Sequence, residues 1–276
     1  MLRDIFVDRR KAGQALAPQQ EEMPRDRLLR WDRAHARAPM DRHLEIVLGD
    51  LRVGGLDLRE LSERCLAESD SRVPPLKALR RPLSMYLLAR YFLQAMELGG
   101  SFAECGVFRG TSALFLCRAA RACRPGYAGE GLHLIDSFEG LSAPSNDDFF
   151  DARGEDGSIV RATVPPQSLR APIEVVKQAL HEFPAASIHA GWIPAVFQDL
   201  PDTRWSFVHI DVDLFQPTLD CLEFFYPRLV AGGVILCDDY GAPLFPGAHR
   251  AWDRFCEEND LPFVVLETGQ SVILKT

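Results

Sequence analysis

The sequence has no C-x-x-C pair among its seven cysteines. That excludes a zinc ribbon, and an odd, scattered set excludes a disulfide framework. Cys105, Cys221 and Cys237 lie in apolar stretches, where a free cysteine serves as a small buried hydrophobe. A reducing, cytoplasmic setting is expected. No apolar run reaches 18 residues; the longest candidate, Leu83 to Leu98, is broken by Arg90, Gln94 and Glu97. A membrane span is therefore not expected, and the opening MLRDIFVDRRK has no apolar signal core. Positive charge is scarce beyond the beginning. The first 42 residues hold ten Lys/Arg and seven Asp/Glu, so the remainder carries −11 of a total of −8. An acidic body disfavours nucleic acid, which needs a positive surface, and leaves small neutral molecules and cations as partners. Repeats and low-complexity tracts are also missing.

What is present is an ordinary globular composition, 47% hydrophobic and 25% charged over 276 residues, enough for a sizeable core. Residues 1–80 read as an Arg-rich, helical N-terminal arm. Asp41 can cap a helix through Leu51, and Asp57 another through Glu68 with Leu58, Leu61 and Leu66 as apolar positions. Ser71 to Pro75 marks a boundary, because Pro74-Pro75 cannot continue a helix. A helix over Leu83–Leu98 follows, stopped by Gly99-Gly100. From residue 81 onward one catalytic domain is expected.

Strand and helix then alternate. Strands are expected at Ser101–Cys105, Leu132–Ile135, Ser187–Ala190, Phe207–Ile210 and Val234–Cys237. Helices are expected at Thr111–Arg121, Ile173–Phe183, Pro217–Tyr226 and Gly247–Asn259. Phe263–Leu266 and Ser271–Leu274 close the chain as an antiparallel hairpin. Repeated βα units give an α/β fold, a mostly parallel, seven-stranded, Rossmann-like sheet with helices on both faces. Ser142–Pro172 shows little periodicity, and an insertion of that length is commonly a lid. Gly154 and Gly157 are its hinge candidates. Asp147, Asp148, Asp151, Glu155 and Asp156 disfavour a compact free state, while Phe149, Phe150, Ile159 and Val160 can anchor it on a ligand.

Phe102-Ala-Glu104-Cys-Gly106-Val-Phe-Arg-Gly110-Thr111 leads from the first of these strands into a helix. The glycines are spaced G-x-x-x-G and not G-x-G-x-x-G, and Phe108 would crowd a pyrophosphate. S-adenosylmethionine has no phosphate. It needs a bend against which an amino-acid moiety can lie, with a carboxylate such as Glu104 near its ammonium. The alternative is a tight turn that binds nothing. Asp136, at the end of the next strand, can accept hydrogen bonds from two ribose hydroxyls, or serve as a turn cap. Ser137 follows it. Gly191 and Trp192 can frame an adenine, Trp192 by stacking; a core aromatic is the competing reading.

His209-Ile-Asp211-Val-Asp213 ends one strand and Cys237-Asp238-Asp239 the neighbouring one. Up to four carboxylates then meet at one edge. Like charges so close need compensation, and a hard divalent cation with oxygen ligands is the simplest. Locally, Asp213 can instead cap the next helix and Asp238 or Asp239 can hold a turn. His209 reads best as a hydrogen-bonded core histidine. His249, and Asp213 again, are candidates for contact with the acceptor.

GVFRG, IDSFEGL, AGW, HIDVDLFQPTLDCLEFFYPRL, GGVILCDDYG, PGAHRAWDRF and TGQSVILK together resemble the macrocin-type sugar O-methyltransferases of macrolide and novobiocin biosynthesis, over about Arg81 to Thr276. The resemblance implies a class I methyltransferase fold using S-adenosylmethionine, with Mg2+ held by Asp211, Asp238 and Asp239. It also implies a sugar or glycoside hydroxyl as acceptor, Asp211 as base and frequent homo-oligomers. Phe108 stands where the family has Trp, and the arm departs from the family pattern. Two other readings compete. An NAD-dependent oxidoreductase would carry the dinucleotide fingerprint that is missing. A methyltransferase-like module kept for binding or assembly would not need acids at two adjacent strand ends.

Overall fold

The computed structural model describes residues 6–7, 52–53, 55–69, 75–153 and 157–276. The expected helix from Asp41 to Leu51, the boundary residues Ser71 to Pro74, and Gly154, Glu155 and Asp156 lie outside the described residues. In chain order the strands and helices are β1 (Phe6–Val7), β2 (Arg52–Val53), β3 (Leu56–Asp57), α1 (Leu58–Glu68), α2 (Pro75–Ala95), β4 (Ser101–Cys105), α3 (Thr111–Cys123), β5 (Leu132–Asp136), β6 (Phe150–Arg153), β7 (Ile159–Thr163), α4 (Ile173–Ala179), β8 (Ser187–Ala190), β9 (Trp205–Ile210), α5 (Phe215–Phe225), β10 (Leu229–Cys237), α6 (Pro246–Glu258), β11 (Val264–Val265) and β12 (Ser271–Leu274).

Seven strands form the central sheet in the order β11-β12-β10-β9-β4-β5-β8. β8, β5, β4, β9 and β10 run parallel, and β12 is antiparallel to both of its neighbours. This is the mostly parallel, seven-stranded arrangement expected from the βα alternation. The chain moves outward through β4, β5 and β8 and then restarts at β9 on the other side of β4. A crevice opens where the order reverses, at the carboxyl ends of β4 and β9.

Alternation along each strand divides the core. Phe102 and Phe207 face one layer, with Leu88, Phe92, Leu114 and Phe115 from α2 and α3. Ala103, Cys105, Val208 and Ile210 face the other, with Leu222, Phe225, Trp252 and Phe255 from α5 and α6. Burying one such side chain contributes about 1.5–3 kcal/mol.

Several boundaries differ from the sequence reading. Asp57 does cap α1, accepting the backbone N–H groups of Arg59 and Glu60. Yet Leu58, Leu61 and Cys65 of α1 are buried in the same layer as α2 and α3, so this helix is part of the main core. α2 begins at Pro75, not Leu83, and runs through Pro82; the expected division at residues 80 and 81 falls inside it. A proline inside a helix costs about 3 kcal/mol, and burial of Met85, Leu88, Ala89 and Phe92 offsets that. α4 ends at Ala179 and β11 shrinks to two residues. The stretch 142–172 is not aperiodic. A capped turn at Asn146–Asp148 leads into the β6–β7 hairpin, and β1 pairs with β7 to make a three-stranded antiparallel sheet. Among the described residues no helix is long and apolar enough to cross a membrane.

His133 on β5 and His189 on β8 share a hydrogen bond of 2.9 Å and stack at 5.2 Å. Burial, and then the neighbouring His189, push His133 down to about 4. Burial also lowers His189, against the pull of Asp199. Both folded values lie below the unfolded value of about 6.5. Above that pH both states are neutral and stability is full. As pH falls from 6.5 toward 4 the unfolded chain takes up protons that the folded chain refuses, so stability declines. Urea unfolding at pH 7 and pH 5 should show this decline, and His133→Phe should reduce it. An unaltered pH slope in the variant would refute the assignment.

Candidate active site

The β4–α3 turn is built by close approach. Gly106 has φ +85°, and a Cβ there would overlap the carbonyl group of Asp211 at the end of β9. Gly110, at φ +78°, is the N-cap of α3. Only residues without a Cβ adopt these angles without strain. Phe108 sits between them at φ +49°. The carboxylate of Asp136 holds the turn. Its Oδ2 accepts the backbone N–H groups of Val107 at 2.7 Å and Phe108 at 2.9 Å, and its Oδ1 accepts that of Phe138 at 2.7 Å. Asp136 is thus a loop-fixing residue in its own right, with lone pairs left for a further donor.

Glu104 points into the layer between the sheet and α3 and is fully buried. Its Oε1 accepts the Ser112 hydroxyl and Nδ1 of His209, the latter at 3.0 Å. Among the described residues its Oε2 has no hydrogen-bond partner. Glu104 and His209 stand opposite each other in the β4–β9 register. Nε2 of His209 lies 3.9 Å from Asp238 Oδ1. Burial opposes the imidazolium, but the carboxylates of Asp238 and Glu104 together outweigh it and hold the His209 proton well above the usual histidine range. His209 is a hydrogen-bonded core residue, as expected, lying between Glu104 on β4 and Asp238 after β10.

The carboxylates at the ends of β9 and β10 do not all converge. Asp211, Asp213 and Asp239 bring one oxygen each within 4.8 Å of one another. Asp238 lies outside this trio; its Oδ1 accepts Nε2 of Gln270 at 2.8 Å. The set gathered here therefore contains Asp213 where the family resemblance implied Asp238. The reason lies in the backbone. Asp213 has φ +66°, and its N–H donates to Asp239 Oδ2 at 3.0 Å. That turn swings Asp213 back toward β10 and buries it. Three hard oxygen donors at this spacing fit a divalent cation.

The remaining candidates are distributed around this edge. The Thr111 hydroxyl is buried 2.6 Å from the Ser69 hydroxyl. Ser137 shapes its turn, donating to the Gly140 carbonyl and accepting the Glu139 N–H. A Cβ at Gly191 would crowd Val196. Trp192 is 40% exposed, so it is not a core aromatic. His249 stacks on Tyr240 at 4.3 Å and meets Asp253 at 3.0 Å. It borders a cavity of about 410 Å³ lined also by Tyr240, Pro243, Pro246 and Arg250. Sequence reasoning passed over Gln270, which is buried and fixes Asp238. It also gave Asp148 no part beyond that of a charge in a loop, although Ser145-x-x-Asp148 is a capping-box pattern.

Comparison with known proteins gives this geometry a context. The family model described as macrocin-O-methyltransferase (TylF) matches residues 89–270. The 8-demethyl-8-(2,3-dimethoxy-alpha-L-rhamnosyl)-tetracenomycin-C 4'-O-methyltransferase of Streptomyces olivaceus is 30% identical over 145 residues, 51% of this chain and 53% of its own. The chain thus spans about half the length of that relative. The O-methyltransferase NovP superposes with a TM-score of 0.54 at 18% identity, covering 86% of this chain and 98% of NovP. The SAH-bound methyltransferase PaMTH1 of Podospora anserina gives 0.53 at 12%, covering 93% and 99%. The structural likenesses show the Rossmann-like class I methyltransferase fold.

Because Asp136 satisfies three backbone amides, Asp136→Ala should lower stability by on the order of 2 kcal/mol in urea denaturation. Wild-type stability in that variant would mean that the turn holds itself.

Proposed function

The chain belongs to the macrocin-O-methyltransferase family, and on that premise we propose that it transfers a methyl group from S-adenosylmethionine to a hydroxyl of a sugar or glycosylated natural product. The observation that carries this reading is the meeting of Asp211, Asp213 and Asp239 at the carboxyl edge, beside the Gly106–Gly110 turn. The relative from Streptomyces olivaceus, named for methylation of a rhamnosyl tetracenomycin, supports a sugar as the acceptor class. The SAH-bound neighbour supports the cofactor.

S-adenosylmethionine supplies a methyl group made electrophilic by its sulfonium. The residues at the β4 and β5 ends suit its polar parts. Glu104 has a buried oxygen with no hydrogen-bond partner among the described residues, which suits an ammonium donor, and the His209 imidazolium keeps that buried carboxylate compensated. Asp136 is the acceptor for ribose hydroxyls. Gly106, Gly110 and Thr111 shape the turn, Ser137 and Gly191 the neighbouring loops, and Trp192 offers an exposed face for the adenine.

A sugar hydroxyl is almost wholly protonated at neutral pH, so the reaction needs a base. Asp211 is the least buried of the three gathered carboxylates. It takes the hydroxyl proton on its carboxylate oxygen as the acceptor oxygen attacks. Asp211, Asp213 and Asp239 would hold Mg2+ or another hard divalent cation, whose Lewis acidity makes such a hydroxyl more acidic. His249 and the cavity beside Tyr240 are where the rest of the acceptor would rest. The protein's further task is alignment of oxygen, methyl carbon and sulfur.

The test is transfer of labelled methyl from S-adenosylmethionine to a panel of deoxysugar glycosides, with and without chelator. Transfer should occur and should stop in chelator. No transfer to any glycoside would reject the acceptor class, and full turnover in chelator would leave Asp211 as a metal-free base. Asp213→Asn should weaken Mn2+ binding by on the order of 100-fold, and Asp238→Asn should weaken it less. The opposite ranking would favour the ligand set implied by the family resemblance.

A further inference from the structure

Asp148, in the segment between β5 and α4, is only 3% exposed. Its Oδ2 accepts the Ser145 N–H at 2.6 Å and the Ser145 hydroxyl at 2.7 Å, closing a capping box. Its Oδ1 accepts the backbone N–H of Phe215 at 2.6 Å, across 67 residues of chain. Phe215 opens α5, and the residue before it, Leu214, has no side chain able to cap a helix. The cap therefore comes from the inserted segment. Its negative charge also suits the positive end of the helix dipole.

The surrounding residues are shaped to admit this carboxylate. A Cβ at Gly247 of α6 would overlap Asp148 Oδ1 and stand 2.6 Å from the Phe215 nitrogen. Arg250, one turn further along α6, donates to the carbonyls of Asp147 and Phe149. The Thr163 hydroxyl donates to the Asp148 carbonyl at 3.2 Å.

Phe215 ends the turn that carries two of the gathered acids. Asp213, at φ +66°, is in a conformation that is strained for a non-glycine residue and must be imposed by its surroundings. Asp239 holds the Asp213 N–H, and Asp148 holds the Phe215 N–H. Between them the Leu214 N–H closes on the Val212 carbonyl at 2.6 Å.

We propose that Asp148 is a positioning residue: by capping α5 from the hairpin segment it holds the Asp211–Phe215 turn in the shape that makes Asp211, Asp213 and Asp239 face one another. The hairpin and the acid cluster are thereby one mechanical unit. The shape of the turn stands independently of the metal, and only the effect on cation affinity rests on the reading above.

The experiment compares the full wild-type chain with Asp148→Ala. It measures hydrogen–deuterium exchange of the 211–216 peptide by mass spectrometry, and Mn2+ and S-adenosylhomocysteine binding by calorimetry. Asp148→Ala should exchange faster in 211–216, bind Mn2+ on the order of tenfold more weakly, and keep its S-adenosylhomocysteine affinity within about twofold. A merely structural residue would lower the melting temperature without touching the Mn2+ affinity of the folded protein. Unchanged exchange in 211–216 overturns the proposal. Should wild type bind no Mn2+, the metal reading falls, and the exchange result alone upholds or overturns the role of Asp148. If Asp148→Ala does not fold, Gly247→Ala, which keeps every carboxylate, is measured the same way with the same expected directions, and wild-type exchange in it overturns the proposal.

Discussion

An ionised carboxylate held largely out of water needs donors, and in this protein the backbone supplies many of them. Asp136 takes three amides and with them sets the β4–α3 turn. Asp239 takes the amide of Asp213, and Asp148 that of Phe215. Each of these bonds pairs a charge with a peptide dipole where little water enters, so each is stronger than a neutral hydrogen bond. Together they decide the paths of the loops at the carboxyl edge. Glycine completes the arrangement wherever one backbone must pass close to another, as Gly106 does beside Asp211.

The same edge carries a buried charge relay of another kind. Glu104 and His209 face each other across β4 and β9, and Asp238 lies beyond His209, itself fixed by Gln270 just before β12. Buried ion pairs contribute little to stability, because desolvation consumes most of the Coulomb gain. Their use here is positional. Removing either partner would strand a charge in the layer that also holds Phe102 and Phe207. The relay also draws Asp238 away from the trio, so that four neighbouring acids are divided into one group of three and one salt-bridged member.

The first half of the chain shows how far tertiary contacts revise a local reading. Arg109 donates to the Ser69 carbonyl at 2.6 Å, and Thr111 meets the Ser69 hydroxyl, so α1 is moored on the turn that opens α3. Arg118 of α3 binds Glu68 of α1 and Glu182. Those ion pairs are partly exposed and worth little individually; the burial of Leu58 and Leu61 is the larger effect. What read as an arm is, from Leu58 onward, a layer of the core.

The sequence by itself determined the alternation of strands and helices, because a period of two or 3.6 in apolar residues is a local property. It determined the parallel sheet, since βα units wind one way, and it placed Glu104, Asp136, Asp211 and Asp239 at one edge, since strand ends in such a sheet share an edge. It marked Asp57 as a cap. Tertiary structure alone decided which acids meet. Asp213 and Asp238 have the same local pattern of an acid after an apolar strand, and only the left-handed turn at Asp213 and the hydrogen bond from Gln270 to Asp238 separate them. It also decided that the turn at Asn146–Asp148 and the paired strands β6 and β7 dock on α5, because the partner of Asp148 is a helix end 67 residues later. And it carried α2 through Pro82, because burying Phe92 and its neighbours outweighs one lost hydrogen bond. Long-range donors and packing have no period for a sequence to display.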